Sequence, residues 1–98
     1  MKEVSISIDL LCKWREDEDP PPVYRLYVDD DLLTERTYIW RNSDQYIREK
    51  IVVYLEPGLH KVKIEPLNPD VNTNKFRITN FVLNKEPYYS IDGQFHID

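Results

Sequence analysis

The opening stretch MKEVSISIDLLCKW places Val4, Ile6, Ile8, Leu10, Cys12 and Trp14 at alternate positions, with Ser5, Ser7, Asp9 and Lys13 between them. A period of two sends successive side chains to opposite faces, so this segment predicts a strand with one buried face. The following REDEDPPP, Arg15 to Pro22, combines repelling carboxylates with consecutive prolines and predicts an exposed loop. Val23 to Val28 and Leu32 to Trp40 are rich in tyrosine and branched residues and read as two further strands, joined by a turn at Asp29 to Asp31. Their register stays open, because a two-residue loop and a three-residue loop give opposite facings. RNSDQ then supplies a polar connection.

The segment IREKIVVYLEPGLHKVKIE predicts a hairpin about Pro57-Gly58. Folding there sets Leu55 against His60, Val53 against Val62 and Ile51 against Ile64 on one apolar face. Tyr54, Val52 and Lys50 then face Lys61, Lys63 and Glu65 on a wet one. Phe76 to Leu83 reads as another strand, and its NFVL puts apolar side chains on both faces, which predicts a bulge or a covered surface. The tail NKEPYYSIDGQFHID carries a turn signal at Asp92-Gly93, so residues 84–98 are expected to form a short hairpin or a docking arm. No run has helical spacing. The expected fold is all-β, a small antiparallel β-sandwich or jelly roll formed by residues 1–98 as one domain.

Composition narrows the function classes. A chain of 98 residues builds one core, and 41% hydrophobic with 32% charged residues is the balance of a folded globular protein. The net charge of -5 without any Lys/Arg run disfavours nucleic acid as a partner. Neither a continuous apolar N-terminal block nor a membrane-length apolar run occurs, so no secretion signal and no membrane partner are expected. The single Cys12 excludes an internal disulfide and is compatible with a reducing cytoplasm. Two glycines cannot build a dinucleotide or phosphate-cradling loop.

The candidate chemistry is sparse. NPDVNTN spaces Asp70, Asn72 and Asn74 at every second position, as an oxygen-rich calcium loop begins. Counting from Asp70, however, the sixth position holds Lys75 where glycine should turn the loop, and the twelfth holds Phe81 where a glutamate should close it. The expected reading is a solvated turn without a metal, calcium being the weaker alternative there or at Asp29 to Asp31 and Glu16 to Asp19. Cys12 faces inward as an inert thiol, and His60 reads as a packed, hydrogen-bonded histidine at the end of the sheet. His96 has no evident partner, and no catalytic residue is assigned. The aromatics carry the binding reading. Tyr46 and Tyr54 should project outward beside Arg48 and Lys50 as a flat polar-aromatic surface, and Tyr88 and Tyr89 form a second contact candidate.

With YVDDDLL, LEPGLHKVKIE and FRITNFVLN placed on strands, the chain resembles small β-sandwich accessory proteins of tailed bacteriophages. The shared features are a strand ending in V-D, a G-x-H-x-V-x-I strand, an Asn/Asp loop and a final I-x-N-x-x-L-N strand, together covering Tyr24 to Asn84. This resemblance implies a non-enzymatic virion component, decorating a capsid or belonging to a tail, found in the virion or the host cytoplasm. Its partners would be virion proteins, with self-association left open. The chain also resembles the sandwich of calcium-dependent carbohydrate-binding modules, which implies a glycan partner. Its metal-loop positions depart from that pattern, so no ligand set carries over. A third class is an intracellular inhibitor that binds a host protein through the acidic face.

Overall fold

The computed structural model describes residues 1–13, 21–38, 46–67 and 75–98. The strands are β1 (Lys2–Lys13), β2 (Val23–Val28), β3 (Asp31–Thr37), β4 (Ile47–Leu55), β5 (Gly58–Pro66), β6 (Lys75–Leu83), β7 (Glu86–Pro87) and β8 (Gln94–Ile97). They form two four-stranded antiparallel sheets, ordered β4-β1-β6-β7 and β3-β2-β5-β8, which pack face to face as a small β-sandwich. The core lies between them. Val4, Ile6 and Ile8 of β1 meet Leu26 and Val28 of β2, Val62 of β5, Phe81 of β6, and Phe95 and Ile97 of β8. A second cluster of Leu10, Cys12, Tyr24 and Tyr38 continues the core along the sandwich, and Ile64 and Ile78 touch both clusters.

The alternation expected for the first strand is present through Cys12, whose thiol is buried. Between the next two strands the register is settled. Val28 pairs with Asp31, so the loop is Asp29-Asp30 alone, and Asp31 belongs to the strand rather than the turn. Asp29 takes the left-handed conformation there, φ 55°, which a short polar side chain tolerates. A shift between Leu26 and Tyr27 marks a bulge in this pair. The expected loop from Arg15 is described at Pro21 and Pro22, where Pro22 is buried rather than exposed and accepts a hydrogen bond from Tyr38 N–H at 2.7 Å. Trp14 and Trp40, RNSDQ and the Asp70, Asn72 and Asn74 loop lie outside the described residues, as do Glu16 to Asp19.

The hairpin expected about Pro57-Gly58 does not form. β4 pairs with β1, whereas β5 pairs with β2 and β8, so the chain crosses from one sheet to the other at Gly58, φ 131°. The facings survive the change of partner. Ile51, Val53, Leu55 and Ile64 pack on the core and Val62 is buried, while Lys50, Val52, Tyr54, Lys61 and Lys63 face out. Alternation reports which side chains share a face, and that information is the same whether two strands lie side by side or face each other across a core.

Of the two alternatives expected for NFVL, a bulge or a covered surface, it is the bulge that β6 shows. Ser7 pairs with Val82 but Asp9 with Thr79, which inserts one extra residue around Asn80, φ 49°. Before it Phe76 and Ile78 point inward, and after it Phe81 and Leu83 do. The tail is neither a free arm nor a hairpin of its own. β7 adds to the first sheet through a two-residue turn at Asn84-Lys85, both at positive φ, and β8 adds to the second. Gly93, φ 81°, makes the last reversal, where a Cβ would lie 2.2 Å from the Val62 carbonyl oxygen.

Candidate functional site

The two outer faces differ in how far they satisfy themselves. On the second sheet, Arg25 Nε donates to Glu35 at 2.7 Å, Tyr27 Oη donates to Glu65 at 3.1 Å, and Lys63 Nζ sits 5.6 Å from the Tyr27 ring centre. Exposed Leu59 lies toward the Gly58 end of that face and Leu32 beside the Asp29 turn. On the first sheet, Tyr46 just before β4 and Arg48, Lys50, Val52 and Tyr54 within it lie outward in sequence, with Tyr46 46%, Val52 61% and Tyr54 60% exposed. Neither the opposite sheet nor the C-terminal segment covers these rings.

Beside β4, the central strand β1 carries Ser5 and Ser7 on its outer face. Their short side chains leave a trough of 540 Å³ walled by Arg48, Lys50 and Val52 on one side and by Asn80, Val82 and Lys85 on the other. At one end the Asp9 carboxylate is 1% exposed although it belongs to the outer face. Arg48 Nε donates to its Oδ1 at 2.8 Å, and Asn80 Nδ2, set by the β6 bulge, donates to Oδ2 at 2.9 Å. The hydrogen bond from Arg48 holds the Asp9 carboxyl below the usual carboxylate range, against burial, which pushes it up. Since Asp9 is neutralised by Arg48, the free charge of the trough comes from Lys50 and Lys85, which have no ion-pair partner among the described residues. A trough of this kind suits a surface that offers apolar and acidic side chains together.

Tyr46 and Tyr54 do not make a joint platform. Eight strand positions separate them by about 27 Å. Arg48 lies over the Tyr46 ring, 5.8 Å from its centre, and Tyr54 Oη donates to Glu3 at 3.3 Å. Tyr88 and Tyr89 sit apart from both. Tyr88 packs on Phe81 with ring centres 5.7 Å apart and accepts the His96 N–H at 3.1 Å. Tyr89 is 88% exposed and lines, with Tyr88, a different concavity of 910 Å³ at the open side between β5 and β6.

The remaining expected groups are placed as follows. His60 Nδ1 lies 2.7 Å from Asp29 Oδ2 and Nε2 lies 2.7 Å from the Glu56 carbonyl, with the ring against Phe95. Both neighbours are acceptors, so this pairing calls for an imidazolium. The hydrogen bond to Asp29 and then that to Glu56 raise the His60 pKa above its ordinary value. The role is structural, tying the Asp29 turn to the β4–β5 crossing, and Asp29 is thereby engaged rather than offered to a cation. Asp98 lies 3.4 Å from His96 Nδ1 at the exposed C-terminus. Among the described residues no three His, Cys, Asp or Glu side chains gather to hold a metal, and no helix is long and apolar enough to cross a membrane.

Glu49 shares the inward parity of Ile51 and Val53 and is legible to that extent, whereas the facing of Arg36 is fixed only by its pairing with Tyr24; Arg36 Nη2 meets Glu49 Oε1 at 2.9 Å between the two sheets. Burial pushes the adjacent Tyr24 hydroxyl far above its ordinary pKa, and the Glu49 charge adds to that rise. The Asp9, Arg48 and Asn80 cluster leaves no trace in the alternation, because its third member is aimed by a bulge. No protein-family model, curated protein or solved structure matches this chain.

Proposed function

We propose that this chain is a non-enzymatic binding module that docks on a protein surface through the outer face of the β4-β1-β6-β7 sheet, as a virion accessory protein of a tailed bacteriophage. The observation that carries this reading is the exposed row of Tyr46, Val52 and Tyr54 beside a serine-floored trough with Lys50 and Lys85 at its rim. An exposed aromatic and apolar row with unpaired cations is the composition of a docking face, where aromatic anchors supply area and rim charges set orientation. The opposite face, with its Arg25–Glu35 and Tyr27–Glu65 pairs, has less left to offer. The virion setting is the part taken from the phage resemblance. A glycan reading draws less support, since Arg48 already lies over the Tyr46 ring on which a sugar would stack.

The test is sedimentation of phage particles through a density gradient from a lysate in which the chain is produced. The parent protein is expected to band with the particles, whereas Val52→Glu is expected to remain at the top. Absence of the parent from the particles overturns the virion assignment, and co-banding of Val52→Glu at parent levels overturns the assigned face.

A further inference from the structure

The two sides of the sandwich are closed unequally. On the β3/β4 side the inward Arg36–Glu49 pair bridges the sheets, a common way of blunting edge strands. On the β5/β6 side the inward Ile64, Phe76 and Ile78 stay half-buried and face a concavity of 910 Å³.

Among the described residues, the backbone on that side is without a strand partner over a definite stretch. Asn84 N–H donates to Ser5 O at 2.8 Å, so the odd-numbered residues of β1 direct their backbone groups toward β6. Opposite them, Arg77 pairs with Leu11 and Thr79 with Asp9. Phe76 and Ile78 therefore direct N–H and C=O away from β1, toward the open edge. β7 reaches Val82 and Leu83, and Tyr88 N–H donates to Phe81 O at 2.9 Å. From Phe76 to Asn80 nothing among the described residues pairs with this edge. Across the gap β5 offers less, because Val62 N–H is bonded to Gly93 O and Pro66 has no N–H.

The mouth is basic in an otherwise acidic chain. Lys61, Lys63 and Arg77 line it against Asp92, while the net charge is -5. A second copy added edge to edge by a two-fold axis would bring Arg77 near its own equivalent, which like charge opposes.

We propose that the free edge of β6 at Phe76 to Asn80 accepts an extended acidic peptide segment of a partner protein as an added strand. Alternate apolar side chains of that segment enter the gap over Ile64, Phe76 and Ile78, and the acidic ones between them share the outer face of the first sheet with Arg77. This surface is separate from the β4 face, so either can fail without the other.

The test follows the Ile78 amide by NMR hydrogen exchange while a capped peptide of about six residues, a usual strand length, alternating valine and glutamate, is added. Exchange at Ile78 is expected to slow and its resonance to shift. A lysine-for-glutamate peptide and one N-methylated on the edge-facing nitrogens are expected to do neither. The exposed variant Arg77→Glu is expected to lose the glutamate peptide at least about tenfold. An Ile78 amide that is already protected in the dilute free protein, or unmoved by the glutamate peptide at millimolar concentration, overturns the proposal. So does equal binding of the N-methylated peptide. Protection that grows with protein concentration alone overturns it in favour of a second copy.

Discussion

At the scale of single residues, His60 and Gly93 hold the most specific demands. His60 has acceptors at both ring nitrogens, and its pKa is raised chiefly by Asp29. A raised folded pKa contributes stability that is fully present below the ordinary imidazole value near 6.5 and is lost as pH rises through the folded value. The parent's urea midpoint is therefore expected to fall as pH rises above about 6.5, relative to that of His60→Gln, whose own profile lacks this component. Parallel profiles for the two proteins would show that the imidazolium pairing is not made in solution. At Gly93 a methyl group would meet the Val62 carbonyl oxygen, and the backbone is left-handed, φ 81°. Gly93→Ala is expected to cost more than the ~1–2 kcal/mol of a left-handed residue alone, read from chemical denaturation. Gly58→Ala meets nothing within 4 Å, so its cost should come from the strained φ of 131° alone, without a steric clash.

At the scale of elements, β6 is the strand whose parity is not continuous. The extra residue at Asn80 lets Phe76, Ile78, Phe81 and Leu83 all face inward, and it aims Asn80 Nδ2 at Asp9. Deleting Asn80 turns β6 into a plain alternation in which Phe76, Ile78, Phe81 and Leu83 still share the inward face, and removes the hydrogen bond to Asp9. That deletion is expected to keep a cooperative thermal transition at a lower temperature. Asn80→Gly keeps the residue count and suits positive φ, so it is expected to melt cooperatively at a somewhat lower temperature for want of the Asp9 hydrogen bond. The same element carries the proposed added strand, because the bulge and β7 together end the pairing short of Phe76. The Asn84-Lys85 turn was within reach of the sequence, since asparagine suits the first position of a two-residue hairpin loop. It was obscured by an unusual lysine at the second.

At the scale of the whole molecule, the C-terminal segment is a structural part of both layers. Phe95 and Ile97 are buried in the cluster with Val4, Ile6 and Val62, so the tail adds to the core that a chain of this size can ill spare. Phe95→Ala is expected to lower stability by ~3–5 kcal/mol, a large share of the ~5–15 kcal/mol typical of a domain. Urea denaturation would measure it, and a loss under about 1 kcal/mol would mean that β8 does not pack as described. The sequence alone determined the all-β class, the inward and outward sets of β1, β4 and β5, and the outward facing of Tyr46 and Tyr54. These follow from local alternation and turn chemistry, which act within a few residues. Only the tertiary structure decided that β4 and β5 part company, that Glu49 and Arg36 close one side, that Asp9 is buried under Arg48 and Asn80, and that Tyr46 and Tyr89 belong to different surfaces. A strand's facing is a property of its own chain, whereas its neighbours are chosen by the packing of all eight strands at once.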